Sequence, residues 1–185
     1  MLFRSAADFC QALKYRGAGT LEFLYQDGQF YFIEMNTRIQ VEHPVTEAIF
    51  GHDLIVAQLK IAAGEFESGQ MEHQGHAVEC RLVAEDEHFR ASPGRITFLH
   101  WPGGPGIRID SHLYAGYEVP HEYDSLIAKV VAWGSNRDQA MARMRQALSE
   151  CRIEGIETNQ YRLLRLLEDE RLTQGNMHTH MLEAL

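Results

Sequence analysis

The chain has 185 residues, 45% of them hydrophobic and 23% charged, an ordinary balance for one globular domain or two small ones, and no apolar run approaches the length of a membrane span. Seventeen basic against 26 acidic side chains give a formal charge of -9, which excludes a broad attraction to nucleic acid or an anionic membrane and leaves any anionic ligand to locally placed groups. Cys10, Cys80 and Cys151 lie far apart and form no C-x-x-C pair, so neither a disulfide framework nor a zinc site is expected, and reduced thiols in a cytoplasmic protein are. The N-terminus has no charged segment followed by an apolar one, so no export signal is expected. Leu2-Phe3-Arg4-Ser5 is also what the sequencing-adapter stretch CTCTTCCGATCT would encode, which raises the expectation that upstream sequence is missing.

In chain order, Ala6 to Lys14 has helical character and Gly17-Ala18-Gly19 breaks it. Thr20 to Tyr25 and Gln29 to Met35 then read as a β-hairpin around Gln26-Asp27-Gly28. The loop length matters: a two-residue Asp27-Gly28 turn pairs Glu22 with Ile33 and puts Glu22 and Glu34 on opposite faces. A three-residue loop with a left-handed Gly28 pairs Tyr25 with Gln29, and Glu22, Phe32 and Glu34 then share a face. Val45 to Phe50 and Asp53 to Ala63 read as helices, the second with Leu54, Ala57 and Ile61 on one stripe and Gly64 as its stop. Glu65 to Gln74 is a polar connector and a candidate boundary. Beyond it come short strands at Ala77 to Val83, Arg95 to His100, Ile107 to Ser111 and Leu126 to Trp133, then helices at Arg137 to Ser149, capped by Asn136 or Ser135, and at Tyr161 to Glu168. The fold class expected is α+β with an antiparallel sheet.

The segment Phe32 to Glu47, FIEMNTRIQVEHPVTE, concentrates polar groups where neither helical nor strand periodicity holds. Glu22 and Glu34 on one strand face, with the amide of Asn36 beyond, offer hard oxygen ligands of the kind that magnesium shares with phosphates. The solvent face of an edge hairpin is an equal reading. Arg38 and Glu42 have the chemistry of an anion clamp and a general base, or of a surface ion pair, and spacing does not separate the two.

The string itself resembles the signature of the biotin carboxylases, the ATP-grasp components of biotin-dependent carboxylases. The words YRGAGTLEFL, GHDLIVAQLKIAAG, GHAVECRLVAED, SPGRI, DSHLYAGYEVPHEYDSLIAKV and NRDQAMARM extend the resemblance from about Arg16 to the C-terminus. Carbamoyl-phosphate synthetases share Glu-x-Asn-x-Arg but lack the Gln-Val-Glu-His-Pro continuation. The resemblance implies the end of an ATP-grasp core over 1–64 and the carboxylase C-terminal domain over 65–185. It also implies that Glu22, Glu34 and Asn36 hold the magnesium (or manganese) ions of bound ATP, Glu22 and Glu34 thereby contributing to the nucleotide site. Arg38, Gln40 and the Val41 backbone would form the bicarbonate pocket, Glu42 would be the base that deprotonates bicarbonate, and Arg81 would steady the biotin anion.

The implied reaction carboxylates biotin on a biotin carboxyl carrier protein or domain through carboxyphosphate, in a homodimer working with a carboxyltransferase component. Acetyl-CoA is the expected final acceptor on base rate alone; another acyl-CoA, pyruvate and urea remain open, as does a carrier domain after Leu185. The family's N-terminal portion, with the first nucleotide-binding domain, the glycine-rich lid and the lysines that hold ATP, has no counterpart here, so this chain alone is expected to be inactive. The alternative is a non-catalytic oligomerisation or interaction module derived from such an enzyme.

Other features carry less. Pro102 to Gly106 lacks a Gly-Lys-Ser/Thr ending and reads as a strand-connecting turn. His178 and His180 lack a third ligand, and Thr179 to Glu183 matches a word that ends the domain in the family. Arg108 matches an arginine near the family's subunit interface, with an exposed strand arginine as the default, and Tyr123 and Asp124 receive no role. Glu85 to Pro93 runs one residue short of the pattern and lacks a proline after Asp86, which puts that loop in doubt.

Overall fold

The computed structural model describes residues 2–65 and 71–175, with side chains from residue 6 onward. The chain divides into two units, Met1–His73 and Gln74–Leu185. The first contains α1 (Leu2–Ala12), β1 (Thr20–Gln26), β2 (Gln29–Asn36), α2 (His43–Phe50) and α3 (Leu54–Ala63).

The β1–β2 hairpin turns on Asp27 and Gly28, with φ of 52° and 79°. Positive φ at both central residues defines the two-residue turn whose twist matches that of the strands. Gln26 accordingly pairs with Gln29, and the register runs unbroken to Phe23↔Phe32. It then shifts: Glu22 pairs with Glu34, and Ile33 is left over as a β-bulge. Neither register expected from the sequence is therefore the observed one. The two-residue turn is correct, but one extra residue on β2 cancels its consequence and brings the two carboxylates opposite each other.

Aromatic contacts set the face below the bulge, with ring centroids 4.7 Å apart for Tyr25 and Phe30 and 5.8 Å for Phe23 and Phe32. Helix α3 is capped by Asp53, whose carboxylate accepts from the Val56 N–H at 2.7 Å, and it ends at Gly64. Leu54, Ala57 and Ile61 are its half-buried stripe, as the 3.6-residue spacing requires.

The second unit contains β3 (His76–Val83), β4 (Gly94–Arg95), β5 (Phe98–His100), β6 (Ile107–Ser111), β7 (Glu118–Val119), β8 (Leu126–Gly134), α4 (Arg137–Glu150), β9 (Arg152–Glu154), α5 (Gln160–Glu168) and α6 (Glu170–Thr173). Every described strand pair is antiparallel, and the central sheet has the order β3-β8-β6. Strand alternation gives it two unlike faces. Cys80, Val130 and Ile109 form one cross-strand row, belonging to the core against which α4 packs through Met141, Met144, Ala147 and Leu148. Leu82, Ile96, Met144 and Leu148 are fully enclosed, and burial of such side chains contributes on the order of 2 kcal/mol each. Asn136 caps α4 by accepting from the Gln139 N–H at 2.9 Å, so of the two candidate caps the asparagine is used.

The single strand expected over Arg95 to His100 is two strands. Arg95 pairs with β7, whereas Phe98 to His100 pair with β9. Between them the Ile96 N–H donates to the Tyr117 carbonyl and the Thr97 N–H to the Glu154 carbonyl. The switch is possible because Gly155, at φ 103°, passes so close that a Cβ there would stand 2.0 Å from the Arg95 oxygen. Period-2 alternation is blind to a change of partner, since side chains keep alternating whichever strand lies alongside. Pro102 to Gly106 is the connection from β5 to β6, as expected.

Candidate active site

The bulge at the end of the hairpin builds the polar site of the first unit. Two carboxylates directly opposite on paired strands repel each other. Here Asn36 lies between them: its amide nitrogen donates to Glu22 Oε1 at 2.8 Å and to Glu34 Oε1 at 3.0 Å. Gln40 adds a longer contact to the same Glu22 oxygen at 3.4 Å. Two carboxylates brought together by a register shift, with the Asn36 amide nitrogen between them where a cation would sit, offer hard oxygen ligands that suit a cation sharing its coordination with phosphate oxygens. Among the described residues no group of three or more His, Cys, Asp and Glu side chains is placed to enclose a metal. The residues present thus fit a magnesium held jointly with a nucleotide better than a self-sufficient protein cage.

Residues 37–42 have no regular structure and lead from β2 into α2. Arg38 is exposed, and its guanidinium donates to the Ile39 carbonyl at 3.1 Å. The Gln40 carbonyl accepts from the His43 N–H at 3.2 Å and from His43 Nδ1 at 2.8 Å, which fixes the proton on that ring nitrogen. Glu42 occupies the N-cap of α2 without capping it through its side chain, and buried Pro44 sets the first turn. The segment therefore holds Glu22, Glu34, Asn36 and Gln40 in one hydrogen-bonded cluster, with Arg38, Val41 and Glu42 on the loop that continues from it.

Arg81 belongs to the second unit, near the end of β3 on the face of the central sheet opposite α4. Its row is Arg81, Lys129 and Asp110; the next row is Glu79, Val131 and Arg108. The adjacent cations Arg81 and Lys129 are flanked by acids: Glu79 Oε1 is 3.9 Å from Arg81 Nε, and Asp110 Oδ2 is 3.5 Å from Lys129 Nζ. Arg108 grips Asp110 with two bonds of 2.8 Å. Burial pushes the Asp110 carboxyl upward, but the hydrogen bonds and charges of Arg108 and Lys129 outweigh it and leave the group below its ordinary range. Glu79, Lys129 and Asp110 were not singled out in the sequence, although Glu79 stands two residues before Arg81 and so had to share its face.

The loop after β3, in doubt from its sequence, is closed by its own residues. Asp86 Oδ1 accepts from the N–H groups of His88 at 2.8 Å and Arg90 at 3.0 Å, and Oδ2 receives Arg90 Nε at 2.7 Å. The Arg162 guanidinium lies 3.8 Å from the Phe89 ring centre and donates to the Asp86 and Glu87 carbonyls. Asp124 accepts from the Leu126 N–H at 2.8 Å and so starts β8, while Tyr123 is 80% exposed. His178, His180 and the Thr179 to Glu183 word lie outside the described residues.

Residues 79–184 match the family "Biotin carboxylase C-terminal domain", and residues 1–67 match "Carbamoyl-phosphate synthase L chain, ATP binding domain". The biotin carboxylase of Haemophilus influenzae is 54% identical over 181 residues, covering 96% of this chain and 40% of that protein. A crystal structure of a biotin carboxylase with a βγ-ATP ligand from Campylobacter jejuni superimposes with a TM-score of 0.94 at 42% identity, over 98% of this chain and 42% of that one. The biotin carboxylase domain of the Hydrogenobacter thermophilus 2-oxoglutarate carboxylase, solved as a dimer with MgADP, ADP and bicarbonate, gives 0.90 at 42% identity over 95% of this chain and 40% of that one. The chain thus spans about two fifths of the length of the relatives it matches. Matched along nearly all of its own length in sequence and in fold, it belongs to the biotin carboxylase family.

Proposed function

We propose that this chain supplies the C-terminal part of a biotin carboxylase active site, in an enzyme that uses ATP and bicarbonate to carboxylate biotin on a carrier protein or domain. The observation that carries this reading is the bulged hairpin end, where Glu22 and Glu34 stand opposite each other and share Asn36. Glu22, Glu34 and Asn36 would hold magnesium, which when bound neutralises charge on the phosphates as the γ-phosphoryl group is transferred. The Arg38 guanidinium, Gln40 and the Val41 backbone would orient bicarbonate. Glu42, on the same loop, would accept its proton so that the oxyanion attacks the γ-phosphate, displacing ADP and forming carboxyphosphate. Breakdown of that species releases carbon dioxide and phosphate, the phosphate would take the proton from the biotin ureido nitrogen, and Arg81 would stabilise the resulting anion, which captures the carbon dioxide.

A carboxyltransferase partner, a homodimeric state and a cytoplasmic setting belong to the same proposal. Acetyl-CoA is the proposed final acceptor, in fatty acid biosynthesis. The likeness to domains of 2-oxoglutarate, pyruvate and urea carboxylases marks the competing possibilities, and reconstitution with candidate carboxyltransferases would decide among them. The test of the site is bicarbonate-dependent, biotin-stimulated ATP hydrolysis by this chain alone and by the chain completed with the N-terminal portion of a relative, each with and without Glu42→Gln. Activity confined to the completed enzyme and lost with the substitution is the expected result. A folded but inactive completed enzyme would overturn the catalytic reading in favour of an interaction module.

A further inference from the structure

Strand β3 is an edge strand among the described residues: β8 covers one side, and no described strand lies along the other. Its last residues are also where the pairing with β8 slips, from Leu82↔Ala128 to Val83↔Leu126. An edge that loses register is the least constrained part of a sheet. Arg81 sits there, on a side chain whose reach multiplies any rotation of the backbone that carries it.

One residue secures that edge. Asn159 Oδ1 accepts from the Val83 N–H at 3.0 Å, its amide nitrogen donates to the Arg81 carbonyl at 3.0 Å, and its own backbone N–H donates to the Val83 carbonyl at 3.2 Å. The partners fix the orientation of the carboxamide, because a carbonyl can only accept and an amide N–H can only donate. The side chain thus presents the donor and acceptor that a peptide unit of a neighbouring strand would present. Asn159 is also the N-cap of α5, where an asparagine side chain ordinarily binds the helix N–H groups, yet it makes no such bond. Its side chain is given to β3 instead.

We propose that Asn159 is a positioning residue for Arg81, pinning the Arg81–Val83 backbone so that the guanidinium is held in one direction; the catalytic part of this inference rests on the role assigned to Arg81 above. Two variants separate its bonds. Asn159→Ala removes both side-chain contacts. Asn159→Asp keeps the acceptor for Val83 but sets an oxygen against the Arg81 carbonyl, and its near-identical shape guards against a general failure to fold.

Amide hydrogen exchange on the full chain is the first readout: Val83 should exchange roughly tenfold faster or more in Asn159→Ala and stay protected in Asn159→Asp, with the Val130 amide unchanged in both. Biotin-stimulated ATP hydrolysis by the completed enzyme is the second, with roughly a tenfold loss expected in both variants, carried by the biotin parameters while the KM for ATP holds. Unchanged Val83 exchange in Asn159→Ala would overturn the clamp. Faster exchange with full biotin stimulation, in an enzyme that Arg81→Met inactivates, would reduce Asn159 to a structural tie and overturn its positioning role. If Arg81→Met is itself silent, the reading of Arg81 fails and takes the catalytic part of this inference with it, and the exchange result alone then decides the clamp.

Discussion

From Ala77 to Leu167 the second unit encloses every buried Ala, Val, Ile, Leu, Met and Cys of the described protein, whereas in the first unit Pro44 is the one residue classed as buried among those described. The hairpin of the first unit leaves Leu24, Tyr25, Tyr31, Phe32 and Ile33 more than half exposed, between a two-residue turn and a bulged polar end. Within this chain the hairpin end is ordered by strand pairing and side-chain hydrogen bonds, and a packed core forms the platform that carries Arg81. Strand pairing and hydrogen bonds fix geometry over a few residues, while resistance to unfolding comes mostly from apolar burial.

The largest effect expected from that contrast is on stability. Leu148→Ala, at a fully enclosed position, should cost about 3 kcal/mol, while Leu24→Ala on the exposed hairpin should cost under about 0.5 kcal/mol. Urea denaturation of the two variants measures the difference, and comparable costs would break the comparison. Next come two glycines with positive φ. Gly155→Ala drives a Cβ onto the Arg95 backbone and should cost about 2 kcal/mol or more, whereas at Gly28, with nothing within 4 Å, only the left-handed penalty of about 1 kcal/mol applies.

Thiol labelling sharpens the same line on a kinetic scale. Burial pushes the Cys80 thiol up to about 12, with the Glu79 charge adding to the effect, and burial alone pushes Cys151 up to about 11. Half-buried Cys10 in the first unit should therefore react with a thiol reagent at pH 8 at least tenfold sooner than either, which should await unfolding. Equal rates would show that the second unit opens as readily as the first.

The smallest effect is in acid. Hydrogen bonds from the Arg90 backbone and side chain hold Asp86 at about 2, and Arg171 does the same for Asp169. A carboxyl whose folded pKa lies below its unfolded value contributes stability above the unfolded value, near 4, and loses it as pH falls through the folded one. The second unit should thus weaken between about pH 4 and 2, and Asp86→Asn should flatten part of that slope in thermal melts.

Much of this was legible in the residues. Gly64 named a helix end, Asp27-Gly28 was legible as a turn whose length stayed open, and Asn136 stood with Ser135 as a candidate cap, because each acts through bonds to neighbours within four positions. The polar segment was legible as a site because its residue types match a family signature. The β-bulge at Ile33 was not, since the skipped pairing is a relation between two strands and leaves no mark in the alternation of either. The split of Arg95 to His100 between two partners escaped for the same reason. Asn159 escaped because its bonds reach 76 and 78 positions back along the chain.

By itself the sequence determined most of the helices and the longer strands, the α+β class and the inventory of groups at the hairpin end, all of which depend on short-range geometry and residue type. Tertiary structure alone decided which carboxylates meet, which face of the central sheet bears Arg81 and what pins its edge, because register and partner choice are set by atoms distant in the chain.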